Sequence, residues 1–344
     1  MMTPVSTVQG EDILRLVVAG HLHFQSLWAG VSLGVFEMLA GGPLTLAEIA
    51  EKAGLALQPA RMMMANLVAL GFVKSEAGRF SNSEVATLRL LRSGQDNLVD
   101  ILHVYARIIY PGIEDYVQSL RENRNVGLGR FPGQGATLYE RLAASPDLES
   151  VFQAAMAAMP SNRFLAPSFD LRGRRHLCDC GGGNGRNAIE LARANPELRV
   201  TVFDHPTVCE KAAANIASQG LSGRIAVAPG NFLADPFPPG IDSVLYAHIG
   251  PIWSAETNTG VFKRAAAALP EGGTFSIYNM VPADDHSGPA YVTAGSVYFH
   301  ALATGQGFMH SVPEYTEMLR AAGFSDVRVV RDLPVSHALI TGIR

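Results

Sequence analysis

The chain has 344 residues, of which 48% are hydrophobic and 17% are charged, and its formal net charge is −4 at pH 7. This composition supplies enough apolar surface for a packed core and excludes an intrinsically disordered chain, while the length predicts two domains. The small negative charge gives no electrostatic reason to bind nucleic acid or an anionic membrane. No apolar run reaches the length of a bilayer span, so we expect no membrane insertion.

The cysteine content indicates a reducing compartment. Three cysteines are too few for a disulfide framework, namely Cys178, Cys180 and Cys209. Cys178 and Cys180 form a C-x-C pair that no second Cys/His pair follows, so they are interpreted as small core residues and no metal site is predicted. The N-terminal segment carries two acidic residues before its first basic one, which is not typical of a signal peptide. We therefore expect a cytoplasmic protein.

Residues 1–95 are predicted to form an all-α and winged-helix domain. Apolar residues recur at three- and four-residue spacing over residues 11–40, which predicts a helix. Thr45 and Glu48 have the spacing of a capping box that opens a short second helix. Residues 58–70 predict another helix, and residues 72–83 predict a small hairpin. Helix, helix and hairpin together are typical of a winged helix.

A winged helix can bind DNA or mediate dimerisation. A DNA-reading helix presents basic side chains, because phosphate contacts depend on Lys and Arg. The helix predicted over residues 58–70 has one basic residue, Arg61, followed by three consecutive methionines. A methionine-rich face suits burial against an adaptable partner surface. We therefore expect a homodimer, and a DNA-binding regulator is the alternative.

Residues 96–165 are predicted to form a helical bridge that lines a substrate pocket. The segment is helical in pattern, rich in aromatic residues and methionine, and interrupted by a Gly/Asn-rich loop. Arg107 and Tyr110 are three residues apart, so a helix would place them on one face where they could anchor a substrate. Tyr105 is a further candidate on the same helix.

Residues 166–344 alternate strand and helix patterns, which predicts a parallel sheet covered by helices. The last two predicted strands have no helix between them, so they should close the sheet as an antiparallel hairpin. The predicted strands are residues 176–180, 199–204, 224–230, 243–248, 274–281, 326–334 and 337–344. The fold class is therefore α/β, with an antiparallel last strand.

A glycine loop after the first of these strands predicts a cofactor site. Gly181, Gly183 and Gly185 let the backbone turn tightly and approach a ligand closely. A dinucleotide fingerprint would need glycine or alanine at position 186, which is Arg186. The G-x-G-x-G spacing, with Asp179 two residues before it, favours S-adenosylmethionine (SAM), whose sulfonium and amino-acid tail suit a nearby carboxylate.

Two further strand ends support the same cofactor. Asp204 ends the second strand, where an acid can accept both ribose hydroxyls. The third strand is followed by Asn231 and Phe232, of which the first can pair with adenine and the second can stack on it. Because these features follow successive strands, we predict an adenosyl cofactor bound at one edge of the sheet.

At this point the chain resembles the small-molecule O-methyltransferases of the caffeate and bacterial natural-product type. The resemblance covers nearly the whole length and is carried by the motifs DCGGGNG, VFDHP, GNF, IWSAE, ALPEGG and AAGF. It implies a winged-helix dimerisation domain followed by a Rossmann-like class I methyltransferase domain. It also implies that the cofactor is lined by Gly181, Asp204, His205, Asn231 and Phe232.

The chain departs from this family where the chemistry takes place. The family's general base is a histidine two residues before a tryptophan; here the tryptophan is Trp253 and the base position is Pro251. The family's two glutamates fall at Tyr278 or Asn279 and at Met309. Proline and methionine cannot abstract a proton, so the resemblance implies the cofactor site but not the usual catalytic groups.

Histidines near these positions are candidate replacements. His248 follows the fourth strand, and His300 falls where the family places a substrate-lining side chain, so either could be a relocated base. A metal held by such histidines is an alternative that lacks an acid at clear ligand spacing. The predicted substrate-binding residues are Tyr105, Arg107, Tyr110, Tyr298, Asn279 and His310.

The leading hypothesis is SAM-dependent O-methylation of a hydroxylated aromatic or heteroaromatic natural-product intermediate, with His248 or His300 as the base. Because the family's base is absent, C- or S-methylation of a small acid, with or without a metal, is an alternative. Catalysis that uses SAM without transferring its methyl group and a SAM-binding regulator are two more.

Overall fold

The computed structural model describes residues 7–94, 96–159 and 162–344. The first six residues, part of the segment used in the signal-peptide prediction, and position 95, the predicted end of the first domain, lie outside these ranges. The chain divides into two units, Met1–Tyr110 with Asp147–Met159 and Pro111–Pro146 with Pro160–Arg344. The predicted boundaries at residues 95 and 165 stay predictions. Within the described ranges, every helix is too short or too polar to span a bilayer.

The first unit is mainly helical. The helix predicted over residues 11–40 is wrong as a single element, because the chain turns at Ala19 and again at Leu33 and Gly34. Gly34 has a φ of +69°, which a right-handed helix cannot contain. The α-helices are Thr7–Val18, Gly20–Ser32, Val35–Ala40, Leu46–Lys52, Leu57–Ala69, Glu84–Arg89, Val99–Val104 and Pro146–Ala158, with a π-helix at Tyr105–Ile109.

The predicted capping box and hairpin are confirmed in this unit. Glu48 N donates to Thr45 Oγ1 at 3.3 Å, and Thr45 N donates to Glu48 Oε2 at 2.7 Å. A small antiparallel sheet has the order β1-β3-β2, formed by β1 (Leu44–Thr45), β2 (Val73–Glu76) and β3 (Arg79–Asn82).

The three consecutive methionines do not form one partner-facing surface, which corrects the expectation from the sequence. Met63 and Met64 are buried in the core of the first unit, whereas Met62 is 65% exposed. Consecutive residues of an α-helix point about 100° apart, so three in a row cannot share one narrow face.

The second unit is built on a seven-stranded sheet of order β6-β5-β4-β7-β8-β10-β9, in which β10 alone runs antiparallel to the others. This confirms the predicted α/β class and the antiparallel last strand. The strands are β4 (His176–Cys180), β5 (Arg199–Asp204), β6 (Ile225–Pro229), β7 (Ser243–Ala247), β8 (Thr274–Met280), β9 (Ser325–Leu333) and β10 (His337–Ile343).

Helices cover both faces of this sheet. Alternate residues of the central strands belong to different buried clusters, with Cys178 and Val244 in one and Leu177 and Leu245 in the other. The α-helices are Tyr116–Glu122, Leu138–Leu142, Asn162–Ser168, Arg186–Ala194, Pro206–Ser218, Ala255–Ala268, Ala290–Thr293, Gly295–Tyr298 and Val312–Ala321, after a helical turn at Tyr110–Gly112. The 3₁₀-helices are Val126–Arg130 and Gly250–Ile252, and Phe299–Ala303 is a π-helix.

The strand order places one edge of the sheet where ligands bind in such folds. The chain proceeds outward from β4 to β6 and then returns to β7 on the other side of β4. In open α/β sheets, ligands bind outside the carboxyl ends of the strands at this switch point. Because β10 is antiparallel, its first residues also lie at the carboxyl edge, next to the end of β8.

Candidate active site

The glycine loop that follows β4 adopts a backbone that other residues rarely adopt. Gly181, Gly183 and Gly185 have φ values of +69°, +57° and +78°. The N–H of Gly181 donates to Phe203 O at 2.8 Å, which fixes the loop to the end of β5. A Cβ at position 181 would lie 2.7 Å from Ile249 Cδ1, so the backbone at this position must be bare.

Asp179 lies buried beneath this loop. The residue is 1% exposed, and neither carboxyl oxygen has a hydrogen-bond partner among the described residues. A Cβ on Gly182 would lie 2.6 Å from Asp179 Oδ2. Burial, with the neighbouring Asp204 charge as a smaller cause, raises the pKa of Asp179 to about 7. A buried acid without a partner fits a site that receives a cationic or hydrogen-bond-donating ligand.

Asp204, at the end of β5, is held against the same loop. Its Oδ2 accepts from Gly183 N at 2.9 Å, and its Oδ1 accepts from His205 N at 2.7 Å. Burial raises the pKa of this carboxyl, and the two backbone bonds oppose the increase. The His205 ring is exposed and lies 3.1 Å from Thr207 Oγ1 through Nδ1. Both oxygens of Asp204 therefore have fixed directions at the mouth of the site.

The segment after β6 brings an aromatic ring to the loop. Asn231 Oδ1 accepts from Leu233 N at 3.0 Å, so its side-chain amide nitrogen is the group left for a ligand. The Phe232 ring is half-buried and meets Tyr246 edge-on at 6.3 Å. Phe232 Cε1 lies 3.6 Å from the position of a Cβ on Gly181. The structure therefore brings the predicted aromatic platform next to the predicted cofactor loop.

His248 follows β7 in a strained conformation. Its φ is +61°, and its N–H donates to Tyr278 O at 2.9 Å. The ring is half-buried, and Nε2 is buried without a partner among the described residues. It meets the rings of Tyr278 and His337 edge-on at 5.4 and 5.2 Å. Burial, with His337 as a smaller cause, lowers the pKa of His248 to about 3, so its imidazole is neutral.

His337 is a residue of this site that the sequence reasoning did not identify. It begins β10 opposite Met280, and its Nδ1 lies 2.9 Å from Val335 O and 3.2 Å from Pro334 O. Its Nε2 is buried and has no partner in the described part of the chain. Burial lowers its pKa to about 4. The predicted antiparallel hairpin was the available signal, because it places the first residue of the last strand at the carboxyl edge.

His300, the other predicted base, has different neighbours. It lies in the π-helix Phe299–Ala303, and its Nε2 is 3.3 Å from Ser119 O. Because a carbonyl only accepts, this contact requires a proton on Nε2. The ring lines an open cleft of about 750 Å³ together with Thr257 and Arg264.

The predicted substrate residues Asn279 and His310 belong to one buried network. Asn279 Nδ2 donates to the Tyr315 hydroxyl at 3.3 Å, and Asn279 Oδ1 has no partner within the described ranges. The His310 ring meets Tyr315 edge-on at 5.4 Å, and its Nε2 lies 3.0 Å from Trp253 O. Burial lowers the pKa of His310. These side chains occupy the region in which the resemblance implied a glutamate and an arginine.

Apolar side chains fill the two positions at which the resemblance implies a base and a second glutamate. Pro251 and Met309 are both buried. Tyr298, a predicted substrate residue, is hydrogen-bonded to the half-buried Tyr139, and desolvation of the Tyr139 hydroxyl raises its pKa well above the usual value.

Tyr105, Arg107 and Tyr110 lie in the first unit. The expectation that Arg107 and Tyr110 share an α-helical face is wrong, because Tyr105–Ile109 forms a π-helix with a wider turn. Arg107 Nη2 donates to Asp147 Oδ2 at 2.5 Å, and Tyr110 stacks on Phe24 at 5.6 Å. Tyr105 is 48% exposed. Arg107 and Tyr110 therefore already have partners within their own unit.

Two family profiles match the chain. Residues 16–92 match the O-methyltransferase dimerisation domain, and residues 112–325 match the O-methyltransferase domain. The second match covers more than half of the chain and includes the glycine loop, Asp204 and His248. Together they confirm the family that the sequence resembled.

Individual relatives agree with these profiles. The chain is 36% identical to an L-tyrosine C(3)-methyltransferase of Streptomyces lavendulae, over 91% of this chain and 86% of that protein. It is 34% identical to a 3-hydroxy-5-methyl-1-naphthoate 3-O-methyltransferase of Streptomyces sahachiroi, over 96% of this chain and 95% of that one. These two relatives methylate carbon and oxygen respectively.

Solved structures show the same fold. The S-adenosylmethionine-dependent methyltransferase SibL, in its apo form, superposes with a TM-score of 0.83 at 36% identity, covering 96% of this chain and 98% of SibL. Human N-acetylserotonin methyltransferase in complex with SAM has a TM-score of 0.84 at 24% identity, covering 100% of this chain and 99% of that one. The chain therefore belongs to the O-methyltransferase family and is a SAM-dependent methyltransferase of small molecules, with a class I methyltransferase domain and a dimerisation domain.

Proposed function

We propose that this enzyme O-methylates a hydroxylated aromatic or heteroaromatic small molecule and that His248 takes the hydroxyl proton. The observation that carries the proposal is the neutral, half-buried imidazole of His248 beside a base position occupied by Pro251. Of its two ring nitrogens Nε2 is buried, whereas Nδ1 is the one left accessible. The proton acceptor of the proposed reaction is therefore His248 Nδ1.

The cofactor half of the site is assigned to the residues at the ends of β4, β5 and β6. Asp179 would face the cationic part of SAM, because its buried carboxyl lacks a partner among the described residues. Asp204 would accept the ribose hydroxyls, and Asn231 and Phe232 would pair with and stack on adenine. When bound, SAM supplies an electrophilic methyl group. The bare backbone of Gly181 and Gly183 would let the ligand lie against the loop.

The proton step balances within the site. The O–H bond of the acceptor breaks, its proton goes to His248 Nδ1, and its electron pair stays on the oxygen that takes the methyl group. The positive charge of the sulfonium is thereby replaced by the charge of the imidazolium. Burial keeps His248 neutral in the free enzyme, so the proton-accepting form is present at neutral pH, and the same burial disfavours the imidazolium that proton uptake forms.

His248 is preferred to His300 for two reasons. The Nε2 of His300 is engaged by Ser119 O, on a helix outside the sheet. His248 precedes Ile249, whose side chain lies where a Cβ of Gly181 would be. Ile249 therefore contacts the glycine loop, and His248 is the residue that precedes it in the chain.

Product analysis tests the proposed reaction. The purified enzyme would be incubated with SAM and hydroxyaromatic acids, including L-tyrosine and a hydroxynaphthoate, which the names of the two relatives suggest. Mass spectrometry and NMR of the product would distinguish a methoxy group from an aryl methyl group. A methoxy product supports the proposal. An aryl methyl product, or no methylation of any hydroxyaromatic, contradicts it.

C-methylation of a phenolic ring is the second candidate. Removing the phenol proton also places negative charge on the ring carbon next to the hydroxyl, so the same base serves either atom. The Streptomyces lavendulae relative, whose name says that it methylates carbon, supports this candidate. In residues 7–94, 96–159 and 162–344, no three His, Cys, Asp or Glu side chains group as metal ligands. We propose no metal-assisted form.

We also propose that the enzyme is a homodimer that pairs through its N-terminal helices. The helix Thr7–Val18 leaves a row of aliphatic side chains between 52% and 71% exposed, namely Ile13, Leu14, Leu16, Val17 and Val18. Contiguous apolar surface of this kind is typical of an interface, and the dimerisation profile begins within this helix. Light scattering should show a dimer, and the double variant Leu14→Glu, Val17→Glu should be monomeric. A monomeric parent protein would contradict the proposal, as would a variant that remains dimeric.

We propose a cytoplasmic location. All three cysteines are free and buried, as expected of a protein that folds under reducing conditions. Fractionation of the producing cells should recover the activity in the cytoplasmic fraction, and recovery from the culture medium or the membrane fraction would contradict this.

A further inference from the structure

We propose that His337 is a positioning residue for methyl transfer, whose Nε2 accepts a hydrogen bond from Nε2–H of His248. This inference rests on the proposed role of His248 as proton acceptor. It adds a second imidazole to the site, supplied by the antiparallel strand β10. By holding the proton of neutral His248 on Nε2, His337 would leave the lone pair on Nδ1, where the proton of the acceptor is taken up.

The surroundings of His337 determine its tautomer. Its Nδ1 lies within hydrogen-bond distance of two backbone carbonyls, those of Val335 and Pro334. Carbonyl oxygens only accept hydrogen bonds, so Nδ1 carries the proton. In the neutral ring, Nε2 then carries a lone pair and can only accept. The residue is 1% exposed, and burial keeps it neutral at physiological pH. His337 therefore presents a fixed acceptor inside the protein.

The two unsatisfied nitrogens belong to neighbouring rings. His248 Nε2 and His337 Nε2 are both buried without partners among the described residues, although buried polar atoms are generally hydrogen-bonded. The ring centroids are 5.2 Å apart and the ring planes are at 75°. The proposed hydrogen bond requires the His248 ring to turn about its Cβ–Cγ bond until Nε2–H points toward Nε2 of His337. One donor and one acceptor would then satisfy both atoms.

Neighbouring groups from β8 and β10 pack around His337 and hold it in place. Tyr278 meets His337 at 4.9 Å with an interplanar angle of 32°, and its carbonyl also receives the backbone N–H of His248. Ser336, adjacent to His337, accepts the N–H of Val281 at 2.9 Å through its carbonyl. The end of β8 and the start of β10 thus fix the position of the acceptor.

The proposed pair follows the logic of base–orienter pairs in other enzymes. A catalytic imidazole needs a partner on its second nitrogen that selects the tautomer and receives the N–H when the ring becomes an imidazolium. A carboxylate usually fills this role. Here a neutral imidazole would do so, and one proton gained from the acceptor would be stabilised by both rings. Pro251 and Met309, at the positions where the resemblance implies the family's catalytic groups, can act neither as a base nor as its hydrogen-bonding partner.

The test compares His337→Phe with His337→Gln in the full-length enzyme. Phenylalanine keeps the ring volume but removes the acceptor, whereas glutamine keeps an amide oxygen near Nε2. His176→Phe is the matched control, because His176 is at the opposite end of β4 and bonds Thr201 through Nε2. Circular dichroism and SAM titration of each variant would verify folding and cofactor binding.

The decisive readout is the ¹⁵N spectrum of the histidine rings, assigned to His248 with the His248→Gln variant. We expect His248 to carry its proton on Nε2 in the parent protein and to lose this preference in His337→Phe. With a hydroxyaromatic acceptor, kcat should fall by about tenfold to a hundredfold in His337→Phe, part of what a general base contributes. KM should change little, and His337→Gln should recover much of the loss.

Two results would overturn the inference. One is an identical ¹⁵N signature of His248 in the parent and in His337→Phe. The other is a kcat loss that is as large in His337→Gln as in His337→Phe. The spectrum does not require turnover, so the His248–His337 contact is judged even if the enzyme methylates no hydroxyaromatic. That outcome would contradict the proposed function instead.

Discussion

At the carboxyl edge of the sheet, β4 and β5 end in acids, whereas β7 and β10 place imidazoles there. Burial raises the pKa values of Asp179 and Asp204 and lowers those of His248 and His337. Low polarity thus favours the neutral form of both kinds of group. A buried acid of this kind is stabilised when a cation binds beside it. A buried neutral imidazole is stabilised when it accepts a hydrogen bond from a proton donor.

We infer from the difference between these halves that the donor side and the acceptor side of the site are under different constraints. The acidic half retains the family's glycine loop and acidic strand end with a recognisable spacing. The imidazole half has Pro251 and Met309 at the positions where the resemblance implies the family's base and second glutamate. Because the methyl donor is the same throughout the family, its site is constrained. The acceptor differs from enzyme to enzyme, so its side of the sheet can change. The predictions below test this division.

Loss of the proposed base should have the largest effect. His248→Phe is expected to lower kcat for a weakly acidic phenol by about 10²–10⁴-fold, the usual contribution of a general base. Affinity for SAM should remain within about threefold of the parent value, since Asp179 and Asp204 are untouched. Steady-state kinetics and calorimetric SAM titration measure the two quantities. A loss of SAM affinity as large as the loss of turnover would show that the acidic and imidazole halves of the site do not act independently.

Removing the acid at the end of β5 should have the opposite pattern. Asp204→Ala is expected to weaken SAM binding by about tenfold to a hundredfold, which corresponds to the hydrogen bonds of a charged acceptor. At saturating SAM, kcat should be close to the parent value. Steady-state kinetics and calorimetric SAM titration again measure kcat and SAM affinity. Unchanged SAM affinity in a folded variant would remove Asp204 from the cofactor site.

The raised pKa of Asp179 predicts proton release on SAM binding. Its pKa of about 7 in the free enzyme should fall when a cation binds beside it. Near pH 6 the free carboxyl is mostly protonated, so binding should release up to about one proton, and affinity should rise with pH toward 7. Calorimetry in buffers of different ionisation enthalpy measures the release. The Asp179→Asn variant should show none, and equal release from both proteins would contradict the assignment.

The same carboxyl should make the free enzyme less stable as pH rises. Its folded pKa exceeds its unfolded value of 3.8, so the native state binds more protons between these two values. The contribution of Asp179 to stability is complete below about pH 4 and is lost as pH approaches 7. Comparison with Asp179→Asn isolates this contribution from that of the histidines, which titrate in an overlapping range.

The glycine loop offers a smaller and purely structural contrast. Gly181→Ala and Gly183→Ala both place a side chain at positive φ, which costs about 1 kcal/mol. At position 181 the new Cβ also lies 2.7 Å from Ile249, whereas at position 183 nothing lies within 4 Å. Denaturant unfolding should therefore show the greater loss of stability for Gly181→Ala. Equal losses of unfolding free energy in the two variants would mean that the Ile249 side chain moves away from the new Cβ without destabilising the fold.

The strands and the glycine loop could be predicted because their signals are local. Short, largely apolar runs define β4 to β8 within a few residues. Thr45 and Glu48 define a helix start by the same kind of local chemistry. The breaks of the N-terminal helix at Ala19 and Gly34 were missed, because the apolar pattern continues across them.

The histidine pair could not be predicted from spacing. His248 and His337 come from strands far apart in the chain, and the antiparallel course of β10 alone brings them together. The burial of Met63 and Met64 depends likewise on which helix faces pack together. Such features are set by tertiary contacts, which a single sequence does not display.

The central claim is that a cation site and a proton-accepting site lie side by side, with His248 as the proton acceptor. Its most direct test is kcat of the parent and of His248→Phe across phenols of graded acidity at one pH. The deficit of the variant should be largest for the least acidic phenol and nearly vanish for a nitrophenol that is already ionised. A deficit of equal size for every phenol, or none for any, would contradict the claim.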